Sequence, residues 1–159
     1  MSSAQQKRRL FLKGTLASST LSVAIAAGLI TPQTVLAAWP KKAFAAKDIN
    51  GALQASFADS DYTPSNKIKI KAPDIAENGA VVPITITTSL PNVENIVILA
   101  AKNSTPLTSS YQFGAATQGF LSTRIKMGKT SDVIVIVKAG GKLYSAQKEV
   151  KVTIGGCGG

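Results

Sequence analysis

Histidine is absent from this chain, and cysteine occurs once, at Cys157. Those two facts remove most self-sufficient catalysis. The usual zinc sites, Ser-His-Asp and Cys-His nucleophile systems and a histidine general base all need residues that are missing here. Carboxylates are also few, eight Asp and Glu in 159 residues. The closest pair, Asp59 and Asp61, sits in DSDYTPSN, a run of turn formers that reads as a solvated loop rather than an acid–base pair. No glycine-rich phosphate loop opens a helix and no CxxCH haem attachment occurs, so no cofactor is expected. The single tryptophan, Trp39, lies too close to the N-terminus to be the core tryptophan of an antibody-type domain.

What is present is basic charge, a period-two body and an unusual tail. Lys and Arg number 18 and the net charge is +10. Four of the basic residues precede Ala38, which leaves 14 − 8 = +6 for the remainder. These lysines stand singly along apparent strands, without interleaved aromatics, so a nucleic-acid surface is not expected. Charged edges that discourage strand-to-strand aggregation account for them.

The N-terminus reads as an address. KRRLFLK at 7–13 is followed by the apolar run TLASSTLSVAIAAGLI and then TPQTVLAAWP. This resembles the twin-arginine export signal, with Arg8, Arg9, Phe11, Leu12 and Lys13 matching and Lys7 in place of the usual hydroxyl residue. The apolar run falls short of the ~20 residues of a membrane span and is broken by Ser and Thr, so no stable membrane anchor is expected. Small residues permit cleavage after Ala37 or after Ala45. The expected organisation is a signal over 1–37 (or as far as 45), a folded domain over 47–154 and an arm over 155–159. The twin-arginine route carries folded proteins to the periplasm, which favours a folded partner that travels with the chain.

Within the body, Ile49, Leu53 and Phe57 recur every four residues and predict one short helix over 47–58. From Lys67 the period becomes two. KIKIKA, AVVPITITTS, VENIVILAAK, a short strand around Tyr111–Phe113, LSTRIKM, DVIVIVK and KLYSAQKEVKVTI read as strands. Glu77-Asn78-Gly79 reads as a hairpin turn using positive φ at the glycine, and Gly140-Gly141 as another. Pro83 places its strand at an edge or marks a bulge. The expected fold is all-β, an immunoglobulin-like antiparallel β-sandwich with a short N-terminal helix and a flexible C-terminal arm. The apolar runs at 93–101 and 132–138 are expected to leave a strand free for pairing across subunits.

The last five residues are Gly155-Gly156-Cys157-Gly158-Gly159. Paired glycines on both sides present no side-chain bulk and let a thiol approach a receiving surface closely. The three steps from Ile154 to Cys157 reach roughly 10 Å when extended. A thiol near its ordinary pKa is only slightly ionised at neutral pH, and the adjacent C-terminal carboxylate favours the neutral form. Activation of Cys157 must therefore come from other proteins.

VKVTIGGCGG at the terminus, APDIAENGAVVPITI at 72–86, ILAAKN at 98–103 and TRIKMGKTSDVIVIVKAGGKLYSAQKEVKV at 123–152 resemble the SoxY family, sulfur carriers of the periplasmic thiosulfate-oxidising system. The resemblance implies a carrier rather than an enzyme. Sulfur would be attached covalently to Cys157, and Gly155, Gly156, Gly158 and Gly159 would form the arm. It further implies a heterodimer with a SoxZ-like β-sandwich subunit, and visits to a c-type cytochrome loading enzyme, a sulfate-releasing hydrolase and, in some organisms, a sulfane dehydrogenase. Two other readings stand beside it. One is an exported β-sandwich module whose tail cysteine makes an intermolecular disulfide; the other is a diglycine-ended carrier activated at Gly159, which export to a compartment without ATP opposes.

Overall fold

Two runs of β-branched residues decide the architecture. In the computed structural model, which describes residues 40–153, Val93–Ala100 forms strand β5 and Ser131–Ala139 forms β8. The two are antiparallel neighbours in the middle of the larger sheet, with Ile98 opposite Val135. Alternation sends Ile96, Ile98, Val133, Val135 and Val137 to one face, and Val97, Leu99, Ile134 and Ile136 to the other. Both faces are buried, so neither strand needs polar residues.

The remaining strands, in chain order, are β1 (Thr63–Pro64), β2 (Ile68–Lys71), β3 (Ile75–Ala76), β4 (Val82–Thr88), β6 (Leu107–Gln112), β7 (Phe120–Ile125) and β9 (Lys142–Val152). The larger sheet runs β1-β9-β8-β5-β6, and β3 also pairs with β9; the smaller is β2-β4-β7. The inner face of the larger sheet packs on Ile68, Ile84, Ile86 and Ile125 of the smaller. Tyr111 Oη and Thr123 Oγ1, 2.7 Å apart, join β6 to β7 across the two sheets.

The opposite face of the larger sheet is covered by helices α1 (Lys41–Ala45) and α2 (Ile49–Phe57). Asp48 caps α2 by accepting the Gly51 N–H at 2.7 Å. Leu53 and Ala43 are fully buried against Val97, Leu99 and Ile136, with Ile49 and Phe57 beside them. Full burial of Leu53 alone contributes about 1.5–3 kcal/mol. The all-β sandwich with N-terminal helical structure is therefore present, as a three-layer arrangement.

Several local expectations change. The runs at 93–101 and 132–138 offer no strand for intersubunit pairing, because β5 and β8 have strands on both sides and layers on both faces. Glu77-Asn78-Gly79 is not a tight hairpin. β2 and β4 do pair, Ile70 opposite Ile86, but the chain between them crosses to the larger sheet and adds β3 to β9. β3 and β1 both run parallel to β9, in a sandwich otherwise antiparallel. Gly79 is not among the glycines of positive φ, whereas Gly140 and Gly141, at 56° and 75°, close the β8–β9 hairpin as the sequence predicts. Pro83 neither places β4 at an edge nor marks a bulge: β4 is the central strand of the smaller sheet, and the proline is accommodated because it lies opposite Arg124, beyond the last β2 pairing at Lys71 and Thr85. Folded structure also begins before residue 47, since Ala43 of α1 belongs to the buried core.

Candidate functional site at the root of the C-terminal arm

β9 is eleven residues long and delivers the chain to its last described residue, Thr153. Over most of its length β9 is held by β8, from Ala139 opposite Lys142 to Ser131 opposite Val150. Past Ser131 the ladder would end, and a side chain extends it. Thr130 Oγ1 accepts the Val152 N–H at 2.9 Å and lies 3.4 Å from the Val152 carbonyl oxygen, to which it donates. The other edge of β9 is held by β3 and its approach. The Lys151 N–H donates to Asp74 O at 2.9 Å and the Thr153 N–H to Ala76 O at 3.1 Å. The root is thus clamped from both sides up to its final described residue.

Gly79 allows this clamp to close. A Cβ built there would collide with the Met127 carbonyl oxygen and lie 2.8 Å from Val152 Cγ1. The Met127 N–H donates to Gly79 O at 2.7 Å, which fixes the two backbones at that spacing. Glycine is needed here for close approach, not for a left-handed turn.

One pair of opposite charges near the root is engaged. Lys148 Nζ donates to Ala72 O at 2.7 Å and meets Asp74 Oδ1 at 3.0 Å. Among the described residues no group of three or more acidic residues could hold a metal ion. Backbone bonds on both edges hold β9 as far as Thr153. From Thr153 to Cys157 four extended steps span at most about 14 Å.

Cys157 and the arm glycines Gly155, Gly156, Gly158 and Gly159 lie outside the described residues, as do Arg8, Arg9, Phe11, Leu12 and Lys13 of the export signal. Sequence reasoning missed Thr130 and Ala76, because a threonine before a strand and an alanine in a short extended segment carry no signal of contact with a strand 20 or more residues away. Gly79 was visible as a glycine, with the wrong reason attached. No helix among the described residues is long and apolar enough to cross a membrane.

The family model for "Sulfur oxidation protein SoxY" matches residues 53–157. The structure of the sulfur carrier protein SoxY from Chlorobium limicola f thiosulfatophilum is 43% identical, with a TM-score of 0.61, covering 72% of this chain and 100% of that one. A superoxide reductase (neelaredoxin) from Ignicoccus hospitalis is 18% identical at a TM-score of 0.49, covering 55% of this chain and 81% of that one. The human F-spondin reeler domain is 11% identical at 0.42, covering 58% and 95%. These two similarities are too low to carry a functional argument. No curated protein gives a significant match. A matched span of this length, ending on the cysteine, and a solved relative covered along its whole length place the chain in the SoxY family of sulfur-oxidation proteins.

Proposed function

We propose that this protein is a periplasmic sulfur carrier that holds thiosulfate-derived intermediates on Cys157 and presents them to partner enzymes. The observation that carries the reading is the extent of the family match, which runs to residue 157 and so includes the cysteine. The clamped root supports it, because a thiol carried on a short arm needs a fixed origin to reach a defined site. The chain supplies tethering and high effective concentration, and the partners supply activation.

The chemistry follows from thiolate reactivity. Oxidative loading joins the Cys157 thiolate to the sulfane sulfur of thiosulfate, forming a S–S bond and passing two electrons to a c-type cytochrome partner. Hydrolysis by a second enzyme attacks the terminal sulfone with water, releases sulfate and two protons, and leaves a persulfide on Cys157. A sulfane dehydrogenase, where present, oxidises that remaining sulfur. A SoxZ-like β-sandwich subunit completes a heterodimer with this chain.

The N-terminal segment, read as a twin-arginine signal, directs the folded protein to the periplasm and is removed after Ala37. Cleavage after Ala45 would strip Ala43 and Phe44 from the helical layer over Val97 and Leu99. Cleavage after Ala37 keeps that layer whole.

Intact-protein mass spectrometry of the periplasmic protein from cells growing on thiosulfate tests the function. Thiosulfate and sulfane-sulfur adducts on the wild type, absent from Cys157→Ser, are expected. Only free thiol and a symmetric disulfide would instead support a module joined through its tail cysteine.

A further inference from the structure

The outer face of the three-stranded sheet is exposed and carries one sign of charge. β2, β4 and β7 contain Lys69, Lys71 and Arg124 and no carboxylate. Alternation turns Ile68, Ile86 and Ile125 inward, and these three cations outward. Lys67 extends one edge and Lys126 the other, both exposed. The two ion pairs among the described residues, Lys138 with Glu94 and Lys148 with Asp74, use none of the five. Thr85 and Thr87 of the central strand β4 lie between the basic edges, and Ser122 and Phe120, a residue 55% exposed, share the β7 edge with Arg124. The first carboxylates after β2 in sequence are Asp74, paired to Lys148, and Glu77.

Edge protection explains isolated cations on edge strands. It does not explain an exposed aromatic on the same edge as Arg124, nor a whole face without one acid. An aromatic and an arginine set among neutral hydroxyls, with charge at the rim, is the composition of a protein interface. Nucleic-acid surfaces interleave several aromatics with the cations, and this face has one. A second copy would meet it with like charge.

The face is also placed at the arm. β4 begins at Val82, opposite Ile125, and just before it Gly79 meets Met127 and Val152 at the arm's root. A body seated on the sheet therefore has its rim beside the point where the chain leaves the sandwich. Seven residues of β4 span about 23 Å and three strands about 14 Å, which gives roughly 300 Å² of flat face. That is less than half of the ~800 Å² that each side contributes to a standard stable interface. Contact of this size is transient, as a carrier that serves several enzymes in turn requires.

We infer that this cationic face, resting on the carrier reading above, is the docking surface for an acidic protein surface beside the active-site entrance of the sulfur-processing enzymes. Charge brings the two together and is released again, while the arm, rooted at the end of the same face, enters the cleft.

The test is the rate of Cys157 loading from thiosulfate by the c-type cytochrome enzyme purified from the same organism, followed from about 0.01 M to about 0.15 M ionic strength. For the full-length carrier complex, kcat/KM is expected to fall about tenfold or more across that range. K69E/K71E/R124E is expected to start at least about tenfold lower, with the salt dependence lost or reversed. K41E/K42E/K47E makes the same change in net charge at exposed positions of the helical layer and is expected to behave as wild type. Should the reversed face fail to fold, K69Q/K71Q/R124Q is expected to flatten the salt dependence. Equal rates and slopes for the two triple variants would overturn the docking surface. Loss of binding to phosphatidylglycerol vesicles with loading unchanged would also overturn it, and reassign the face to lipid. A wild-type carrier that is never loaded would overturn the carrier reading itself, a different failure.

Discussion

Replacing Gly79 by alanine tests whether the arm's root is held as the structure has it. The added methyl would press on the Met127 carbonyl oxygen and lie 2.8 Å from Val152 Cγ1, where carbon contacts normally settle at about 3.5–4 Å. Neither neighbour can retreat cheaply. Met127 is tied back to Gly79 by its own N–H at 2.7 Å, and Val152 is fixed by Thr130 at 2.9 Å. Overpacking against tied backbone costs about 1–3 kcal/mol. For a body of this size each kcal/mol shifts Tm by about 4 °C, so a fall of about 4–12 °C is expected in scanning calorimetry. The control is Gly114→Ala, where the nearest atom to a new Cβ is Thr117 Oγ1 at 3.6 Å, an ordinary contact. That variant is expected to stay within about 2 °C of wild type. Hydrogen exchange supplies a local readout: in Gly79→Ala the Thr153 amide, which donates to Ala76 O at 3.1 Å, exchanges faster. Coincident melting curves for the two glycine variants would refute the reasoning.

Two further outcomes follow from the helical layer. Ala58 caps α2 with φ at 56°, a left-handed conformation that costs a residue with a Cβ about 1 kcal/mol, so Ala58→Gly is expected to raise Tm by about 4 °C; an unchanged or lower Tm would contradict this. Because Ala43 is fully buried, the exported protein is expected to begin at Ala38 by intact mass, and a version beginning at Ala46 to melt lower. A mature chain found to start at Ala46, with undiminished stability, would remove the argument from packing.

The strands were legible because their side chains state their surroundings. KIKIK alternates, and in the structure Ile68 and Ile70 pack on the core while Lys69 and Lys71 are exposed. IVILA and VIVIV were legible as buried strands, but not what buries them. Period-two patterning reports how many faces are apolar, and a continuous run is equally served by a sheet or a helix on its second face. The helix at Ile49, Leu53 and Phe57 supplied that cover, and only the contact with Val97 and Leu99 shows it. The crossing between β2 and β4 was misread because Asn-Gly is a strong local turn signal, and the competing demand at Gly79 comes from Met127 and Val152, far away in sequence. Two-residue parallel strands such as β1 and β3 have no periodicity to read. The cationic face was visible only as scattered lysines. Pairing of β2, β4 and β7 brings Lys69 and Arg124 onto one surface, and that register is a property of the fold.

The central claim is that Cys157 carries thiosulfate by its sulfane sulfur and yields the sulfone as sulfate. Thiosulfate labelled at one sulfur or the other tests it most directly, with the carrier isolated after oxidative loading and again after hydrolysis. Both labels are expected on the wild-type chain after loading, only the sulfane label after hydrolysis, and neither on Cys157→Ser. Sulfone label retained on the protein after sulfate release, or either label bound equally by Cys157→Ser, would contradict the account.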